Sequence, residues 1–397
     1  MCDAVRVLML SWEYPPLVVG GLGRHVEALA RELVAEGHDV RVVTRGAAPV
    51  GGTETRDGVR IIRAAVDPIA IDFTTESLLA WSQVAEHALL RAALPVVKRW
   101  RPEVVHAHDW LVAQTAITVS ESVGAPLVAT LHASEAGRHH GWLPRPLNLA
   151  IHSLERWLAQ RAAAVITCST TMRDEAATLY ELPIAKLSIV PNGIEATRWT
   201  APARAKSSAR SRIGGDGPLL VFAGRLVHEK GVQTLLHAVR TLRATHPTLR
   251  LALAGTGVHE ATLHAQARRL RIVRAVEWLG FVPEPELPAL FGAADIAVVP
   301  SLYEPFGIVA LEAAVAGTAL VVADTGGLRD LAAAGVAAAS FPAGDADALA
   351  EAIDALLADP ATAARSAARA ARIVRRDYTW QTVGTRTAGV YRSVVAE

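Results

Sequence analysis

Short apolar runs alternate with amphipathic segments along nearly the whole chain, and no other feature constrains the fold as strongly. Val5–Leu10, Val40–Thr44, Val104–His106, Leu127–Leu131, Val165–Thr167 and Leu187–Val190 have the length and β-branched content of buried strands. Helical periodicity falls between them, as in Arg24–Glu36, Leu78–Val97 and Leu147–Arg161. This alternation predicts βαβ units and a mostly parallel sheet. The stretch TAPARAKSSARSRIGGDG (200–217) has no apolar period and reads as a linker. Strand runs then resume at Leu219–Ala223, Leu249–Ala254, Val276–Leu279, Ile296–Val299 and Leu320–Ala323.

The expected fold class is therefore α/β, with two Rossmann-like doubly wound domains in tandem. A length of 397 residues suits two or three domains. The expected boundaries are 1–199 for the first domain, 200–217 for the linker and 218–376 for the second domain. A C-terminal helix over 377–397 returns to the first domain through Trp380, Val383, Val390 and Val394. A ligand is then expected at strand carboxyl ends, in a cleft where the two sheets face each other.

Charge and cysteine content narrow the function. A formal net charge of +1 gives no overall field toward nucleic acid. Cys2 and Cys168 are the only cysteines, which suits a reducing compartment rather than a disulfide framework. The start, MCDAVRVLMLSWEYPP, lacks the basic region of a secretion signal, and the apolar stretch Ile308–Ala323 is too short to span a bilayer. The expectation is a soluble, cytoplasmic protein. Lysine occurs only at Lys98, Lys186, Lys206 and Lys230 in an arginine-rich chain. Each retained ammonium therefore carries some information.

Three stretches suggest phosphate handling. In EYPPLVVGGLGRHV, Gly20, Gly21 and Gly23 lie between a strand and a helix, where backbone amides approach an anion. In FAGRLVHEKG, Arg225 and Lys230 follow a strand directly, placing two cations at the sheet's carboxyl edge. Such a pair suits a diphosphate whose charge grows as it leaves. In SLYEPFGIVALEAAVAG, Pro305 is expected as the first helical residue, followed by an apolar face of Ile308, Leu311 and Val315. Glu304 would stand at the mouth of that helix and Glu312 inside it, roughly 12 Å apart at ~1.5 Å per residue. That exceeds the ~5–9.5 Å at which carboxylate pairs flank one glycosidic bond. Two acceptors so spaced suit a long ligand with hydroxyls at both ends, such as a nucleotide-activated sugar. A second glycine turn, Gly326–Gly327, follows the last strand run.

In this order, SWEYPPLVVGGLGRHV, VHAHDWL, TLHASEAGRHHGW, PNGI, GRLVHEKG and EPFGIVALE resemble the retaining glycosyltransferases of family 4, which have the two-domain GT-B fold. Within that family the chain is similar to glycogen-synthase-like members. The resemblance implies that Arg225 and Lys230 grip the donor diphosphate, that Glu304 contacts the transferred sugar and that Glu312 contacts the ribose. It implies His132 and Asp109 as active-site groups of the first domain, and Gly21 and Gly23 in the loop over the phosphates. The amides of Phe306, Gly307, Gly327 and Leu328 would complete the cradle. The implied reaction moves glucose from UDP- or ADP-glucose to an α-1,4-glucan or a related methylglucose polysaccharide, with retained α configuration and no cofactor or metal. Glycogen synthases carry a lysine where this chain has Val18. One charge is then missing or supplied by Arg24, which leaves the donor base open.

Rival readings share parts of this pattern. The acceptor can instead be glucose-1-phosphate, as for an α-maltose-1-phosphate synthase, or a lipid, as for a phosphatidylinositol mannosyltransferase. A sugar-nucleotide-binding protein without catalysis is the third. His106, His108 and Asp109 in VHAHDW are possible metal ligands, although no second histidine cluster in the sequence completes a shell. His139 and His140 read as polar loop residues. Trp110 and Trp142 suit either sugar stacking or packing. Leu147, Ile151, Leu154 and Leu158 form one stripe, read as a core-facing helix rather than a membrane-docking one.

Overall fold

The structure is a computed structural model that describes residues 4–17, 20–47, 51–74, 76–139 and 141–396. Two compact units form: Met1–Asn192 together with Trp380–Glu397, and Gly193–Thr379. In the first, the strands are β1 Arg6–Ser11, β2 Asp39–Arg45, β3 Gly52–Arg56, β4 Val59–Ala64, β5 Val104–His108, β6 Leu127–Leu131, β7 Ala164–Thr167 and β8 Leu187–Ile189. Their order is β3-β4-β2-β1-β5-β6-β7-β8, and every pair is parallel except β3 with β4. β5, β6 and β7 are buried along their whole length. Helices must therefore cover both faces, which is why these strands read as unbroken apolar runs.

The β3–β4 hairpin was not anticipated. Gly52–Arg56 is an edge strand with no buried residue, so it carries no apolar alternation. Its turn does carry a signal: Asp57 and Gly58 both have positive φ, 50° and 78°. Asp-Gly is the sequence that favours such hairpin turns.

The second unit holds β9 Leu219–Ala223, β10 Arg250–Ala254, β11 Val276–Gly280, β12 Ile296–Val299, β13 Ala319–Ala323 and β14 Ala339–Phe341. Their order is β11-β10-β9-β12-β13-β14, all parallel. Both sheets are doubly wound. Each has a point where strand order reverses, between β1 and β5 in the first and between β9 and β12 in the second.

The stretch expected to be a linker is ordered instead. Ala203–Ile213 is a helix of the second unit that packs on Leu287–Ala293. Only Ala209 and Ile213 of it are buried, so little apolar period shows in the sequence. Hydrogen bonds hold it in place: Arg210 donates to the carbonyls of Ala293 (2.8 Å) and Gly217 (2.9 Å) and to Asp295 Oδ2 (3.0 Å).

The final helix, Trp380–Val395, belongs to the first unit and lies on helix Gly21–Ala35. Val383, Ala388, Tyr391 and Val394 join Val26, Leu29 and Leu33 in one core cluster. A large apolar side chain buried in this way contributes about 1.5–3 kcal/mol. No described helix is long and apolar enough to cross a membrane.

Candidate active site

Ligands of doubly wound sheets bind outside strand carboxyl ends at the reversal point. In the second unit, that point gathers the loops after β9 and β12. Lys230, in the short turn His228–Lys230, points its Nζ at Glu304 Oε2, 2.7 Å away. Ser301, fully buried, donates its hydroxyl to the same oxygen at 3.1 Å. Backbone bonds join the two loops: the Leu302 amide donates to the Glu229 carbonyl at 2.8 Å. Gly231 makes this approach possible. Its φ is 70°, and a Cβ there would stand 1.8 Å from the Pro300 carbonyl oxygen. Arg225 lies beside this turn, mostly exposed, and pairs with Glu229 at 3.2 Å. Each of the two expected phosphate cations thus already faces a carboxylate.

The helix after Glu304 starts three residues later than expected. It spans Ile308–Ala316, and its N-cap is Gly307 in the left-handed region at φ 97°, not Pro305. A Cβ on Gly307 would lie 2.5 Å from Leu328 Cδ2, so conformation and space both require glycine. Residues 304–307 are not helical, so helical rise does not set the Glu304-to-Glu312 spacing. Glu312 shares a half-buried face with Ile308, while Leu311 and Val315 enter the core. The Ile308 and Val309 amides sit in the first helical turn, where no intrahelical acceptor exists. Among the described residues, the Phe306 and Gly307 amides also have no acceptor. Four N–H groups therefore gather at one positive helix end beside Lys230.

Gly327 and Leu328 do not complete that cradle as expected. The Gly327 amide donates to the Glu304 carbonyl (2.9 Å), and the Leu328 amide donates to the Thr325 carbonyl (3.1 Å). The glycine pair instead permits close packing. A Cβ on Gly326 would lie 1.9 Å from the Glu304 carbonyl oxygen, and one on Gly327 would lie 2.5 Å from Phe306 Cα. Their place in the fold is to hold the Glu304 loop against helix Gly326–Ala333.

In the first unit, the reversal point gathers the ends of β1, β5 and β6. Helix Gly21–Ala35 begins at the glycine turn, with Gly21 exposed and Gly23 buried in its first turn. The Gly20 amide is occupied by Glu13 Oε2 at 3.0 Å, so the chain's own carboxylate sits at this helix end. Val18 and His140 lie outside the described residues. Arg24 is exposed on the helix. His139, also exposed, lies 3.4 Å from Glu135 Oε1.

Behind that turn is a cluster of imidazoles. His106 is fixed between Thr130 Oγ1 and the Tyr391 hydroxyl, each at 2.7 Å. His108 Nδ1 is 3.2 Å from His132 Nε2, and His25 Nδ1 is 2.8 Å from Asn192 Oδ1. The His25 ring also packs edge-on to Trp380, with centroids 5.3 Å apart. Asp109 accepts the His132 amide on Oδ1 at 2.7 Å. Its φ of 62° and ψ of 175° fall in a region otherwise reserved for glycine. Such strain costs about 1–3 kcal/mol and persists where surroundings over-determine it. The expectation that no second histidine cluster accompanies VHAHDW is overturned, because folding brings His25 and His132 beside His108. Trp142 is 71% exposed. The Leu147–Leu158 stripe turns Ile151 and Leu158 inward together with Glu155.

Burial sets the protonation states. It pushes His25, His106 and His108 well below the usual imidazole value, and His132 down to about 4. It pushes the carboxyls of Asp109 and Glu86 up to about 7 and that of Glu155 up to about 8. Glu86 nevertheless accepts the Gln114 and Thr115 amides, and Glu155 accepts the Tyr180 hydroxyl at 2.9 Å. These shifts predict a pH dependence for the first unit. A histidine lowered on folding weakens the fold below pH 6.5, where the unfolded chain takes up the proton. A carboxyl raised on folding weakens it as pH climbs from the unfolded value toward the folded one. Between 4.5 and 6.5 the two sets oppose each other; above 6.5 the carboxyls act alone. The first unit's thermal midpoint is therefore expected to fall from pH 6.5 to about 8, and Glu155→Gln should flatten part of that slope. A midpoint rising over this interval in calorimetry would contradict the assignment.

Folding thus joins Lys230 to Glu304 and places Arg225, Phe306 and Gly307 in the same rim, and it joins Asp109 to His132. Sequence reasoning missed Ser301, His25, Asn192 and Tyr391. His25 and Asn192 lie within the quoted GGLGRHV and PNGI, but nothing local in those motifs shows that they meet.

Comparison with known proteins identifies the family. Residues 19–198 match the family described as Glycosyltransferase Family 4, and residues 203–373 match Glycosyl transferases group 1. A Mycobacterium tuberculosis protein named glycogen synthase is 44% identical over 398 residues, covering 98% of this chain and 94% of its own length. An α-maltose-1-phosphate synthase from the same organism is 31% identical over 415 residues, covering 99% and 100%. Among solved structures, sucrose-phosphate synthase from Thermosynechococcus elongatus superposes with a TM-score of 0.83 at 22% identity, covering 99% of each chain. Two doubly wound sheets, the site geometry and full-length relatives lead to one conclusion: this chain is a GT-B glycosyltransferase and belongs to glycosyltransferase family 4.

Proposed function

We propose that the enzyme is a retaining α-glucosyltransferase that moves glucose from UDP- or ADP-glucose to an α-1,4-glucan or a related methylglucose polysaccharide. The observation that carries this reading is the Lys230–Glu304 pair beside the acceptor-free Phe306 and Gly307 amides. An ammonium and a positive helix end are ready for a diphosphate, with a buried carboxylate next to them for sugar hydroxyls. Arg225 adds a second cation, exchanging Glu229 for phosphate when donor arrives. Glu304 holds the transferred glucose and Glu312 the ribose. Gly21 and Gly23 form the turn over the phosphates, and His132 and Asp109 orient the sugar in the first unit. As the glycosidic bond breaks, the departing phosphate oxygen takes the acceptor hydroxyl proton, and that hydroxyl attacks the face the phosphate leaves. The cations and helix dipole carry the developing charge, so no metal is required. The name of the 44% identical relative supports a growing glucan as acceptor.

The test is incubation of purified enzyme with UDP- or ADP-glucose and maltooligosaccharides of defined length, with EDTA present. The expected result is longer oligosaccharides with new α linkages by NMR. Product from glucose-1-phosphate alone would shift the assignment to maltose-1-phosphate synthesis, the activity named for the 31% identical relative. Transfer only to lipid extracts would favour a lipid acceptor. Donor binding without turnover on any acceptor would overturn the reading.

A further inference from the structure

We propose that His25, His108 and His132 form a three-imidazole site for one divalent transition-metal ion of the zinc class. One ligand nitrogen from each residue can be chosen so that all three lie within 4.8 Å of one another. Zinc–nitrogen bonds of about 2.0–2.1 Å place tetrahedral ligands roughly 3.3 Å apart. The 3.2 Å between His108 Nδ1 and His132 Nε2 already matches that spacing, and the His25 nitrogen lies within 4.8 Å of both. Those two nitrogens share one proton in the metal-free protein, so an ion replaces that proton without rebuilding the site. His108 is fully buried, so solvent does not compete for its Nδ1; its Nε2, unpartnered among the described residues, lies on the far edge of the ring and takes no part in the site.

The surroundings fit the same ligand class. Asn192 Oδ1 accepts from His25 Nδ1, which orients the ring and leaves Nε2 as the ligating atom. Metal-binding histidines commonly have this kind of outer partner. The Asp109 carboxylate is turned to the His132 amide, so the set is nitrogen-only, suiting zinc, cobalt, nickel or copper rather than magnesium or calcium. Three imidazoles leave a fourth position open. The ion is an inhibitor rather than a cofactor, because it takes up the His132 nitrogen. Inhibition rests on the proposed transfer reaction; binding does not.

The full-length enzyme, stripped with chelator, is titrated with cobalt at neutral pH and followed by the visible absorption of a tetrahedral cobalt centre, then back-titrated with zinc. One equivalent is expected, displaced by zinc. Asn192→Ala should weaken cobalt about 10–100-fold, His25→Gln should abolish the spectrum, and exposed His87→Ala should leave it unchanged. Circular dichroism checks that each variant folds; if His25→Gln does not, Asn192→Ala decides. Zinc added to the transfer assay should inhibit, with recovery on EDTA. Absence of the tetrahedral spectrum, or an undiminished one in Asn192→Ala, overturns the site. A normal spectrum with no transfer on any acceptor would instead count against the proposed reaction alone.

Discussion

Glu304→Ala is expected to lower glucosyl transfer by about 10³-fold while leaving donor binding within a few-fold of the parent enzyme. The carboxylate is 7% exposed and accepts from both Lys230 and Ser301, so it is fixed before substrate arrives. Its removal takes away an acceptor for the sugar but leaves the ammonium, whose side chain is 22% exposed and stays hydrated. The freed lysine then meets the diphosphate with no competing charge. Lys230→Ala should behave differently. It strands a nearly buried carboxylate and removes a phosphate contact, so donor affinity and turnover both fall. Breaking a fully buried pair costs about 3–5 kcal/mol, and solvent access to the lysine reduces that here. Calorimetric UDP binding together with steady-state rates separates the two variants. Normal turnover in Glu304→Ala would remove the role assigned to this residue.

Gly231→Ala is expected to destabilise the second unit by about 3 kcal/mol or more and to remove transfer. The position combines φ of 70° with a Cβ site only 1.8 Å from the Pro300 carbonyl oxygen. Relief requires the β9 and β12 loops to separate, which pulls Lys230 from Glu304. Gly317→Ala is the matched control: its φ is 88°, but nothing lies within 4 Å of its Cβ. It should cost only the left-handed penalty of about 1–2 kcal/mol and keep activity. Equal midpoints for the two variants would show that the loop contact is not the cause.

The buried parallel strands were legible because both of their faces are covered. Leu127–Leu131, Leu219–Ala223 and Ile296–Val299 occur at the expected bounds. Elements held by polar contacts were not legible. The exposed Gly52–Arg56 strand and the arginine-anchored Ala203–Ile213 helix carry almost no apolar period. The misplaced helix start near Pro305 has a related cause. Proline fixes its own φ, but the start was set by a left-handed Gly307 packed on Leu328, a contact with no local signature. In the site, local order placed Arg225 and Lys230 together at one sheet edge, whereas the ion pair that brings Glu304 to Lys230 spans 74 residues. The imidazole cluster depends on separations as long as the 167 residues between His25 and Asn192. The 285 residues between His106 and Tyr391 are longer still, and no spacing rule reaches them.

That last separation bears on biosynthesis. The first unit is interrupted in the chain, since Trp380–Glu397 completes it, whereas Gly193–Thr379 is continuous. Domains emerging from the ribosome ordinarily fold in order from the amino end. Here the earliest-made sheet waits with an uncovered helix face until Trp380–Val395 has been made, while the later-made unit has all its parts sooner. Tyr391 and Trp380 reach His106 and His25 only once that last segment has emerged, so a polypeptide cut short before Trp380 carries an unfinished imidazole cluster.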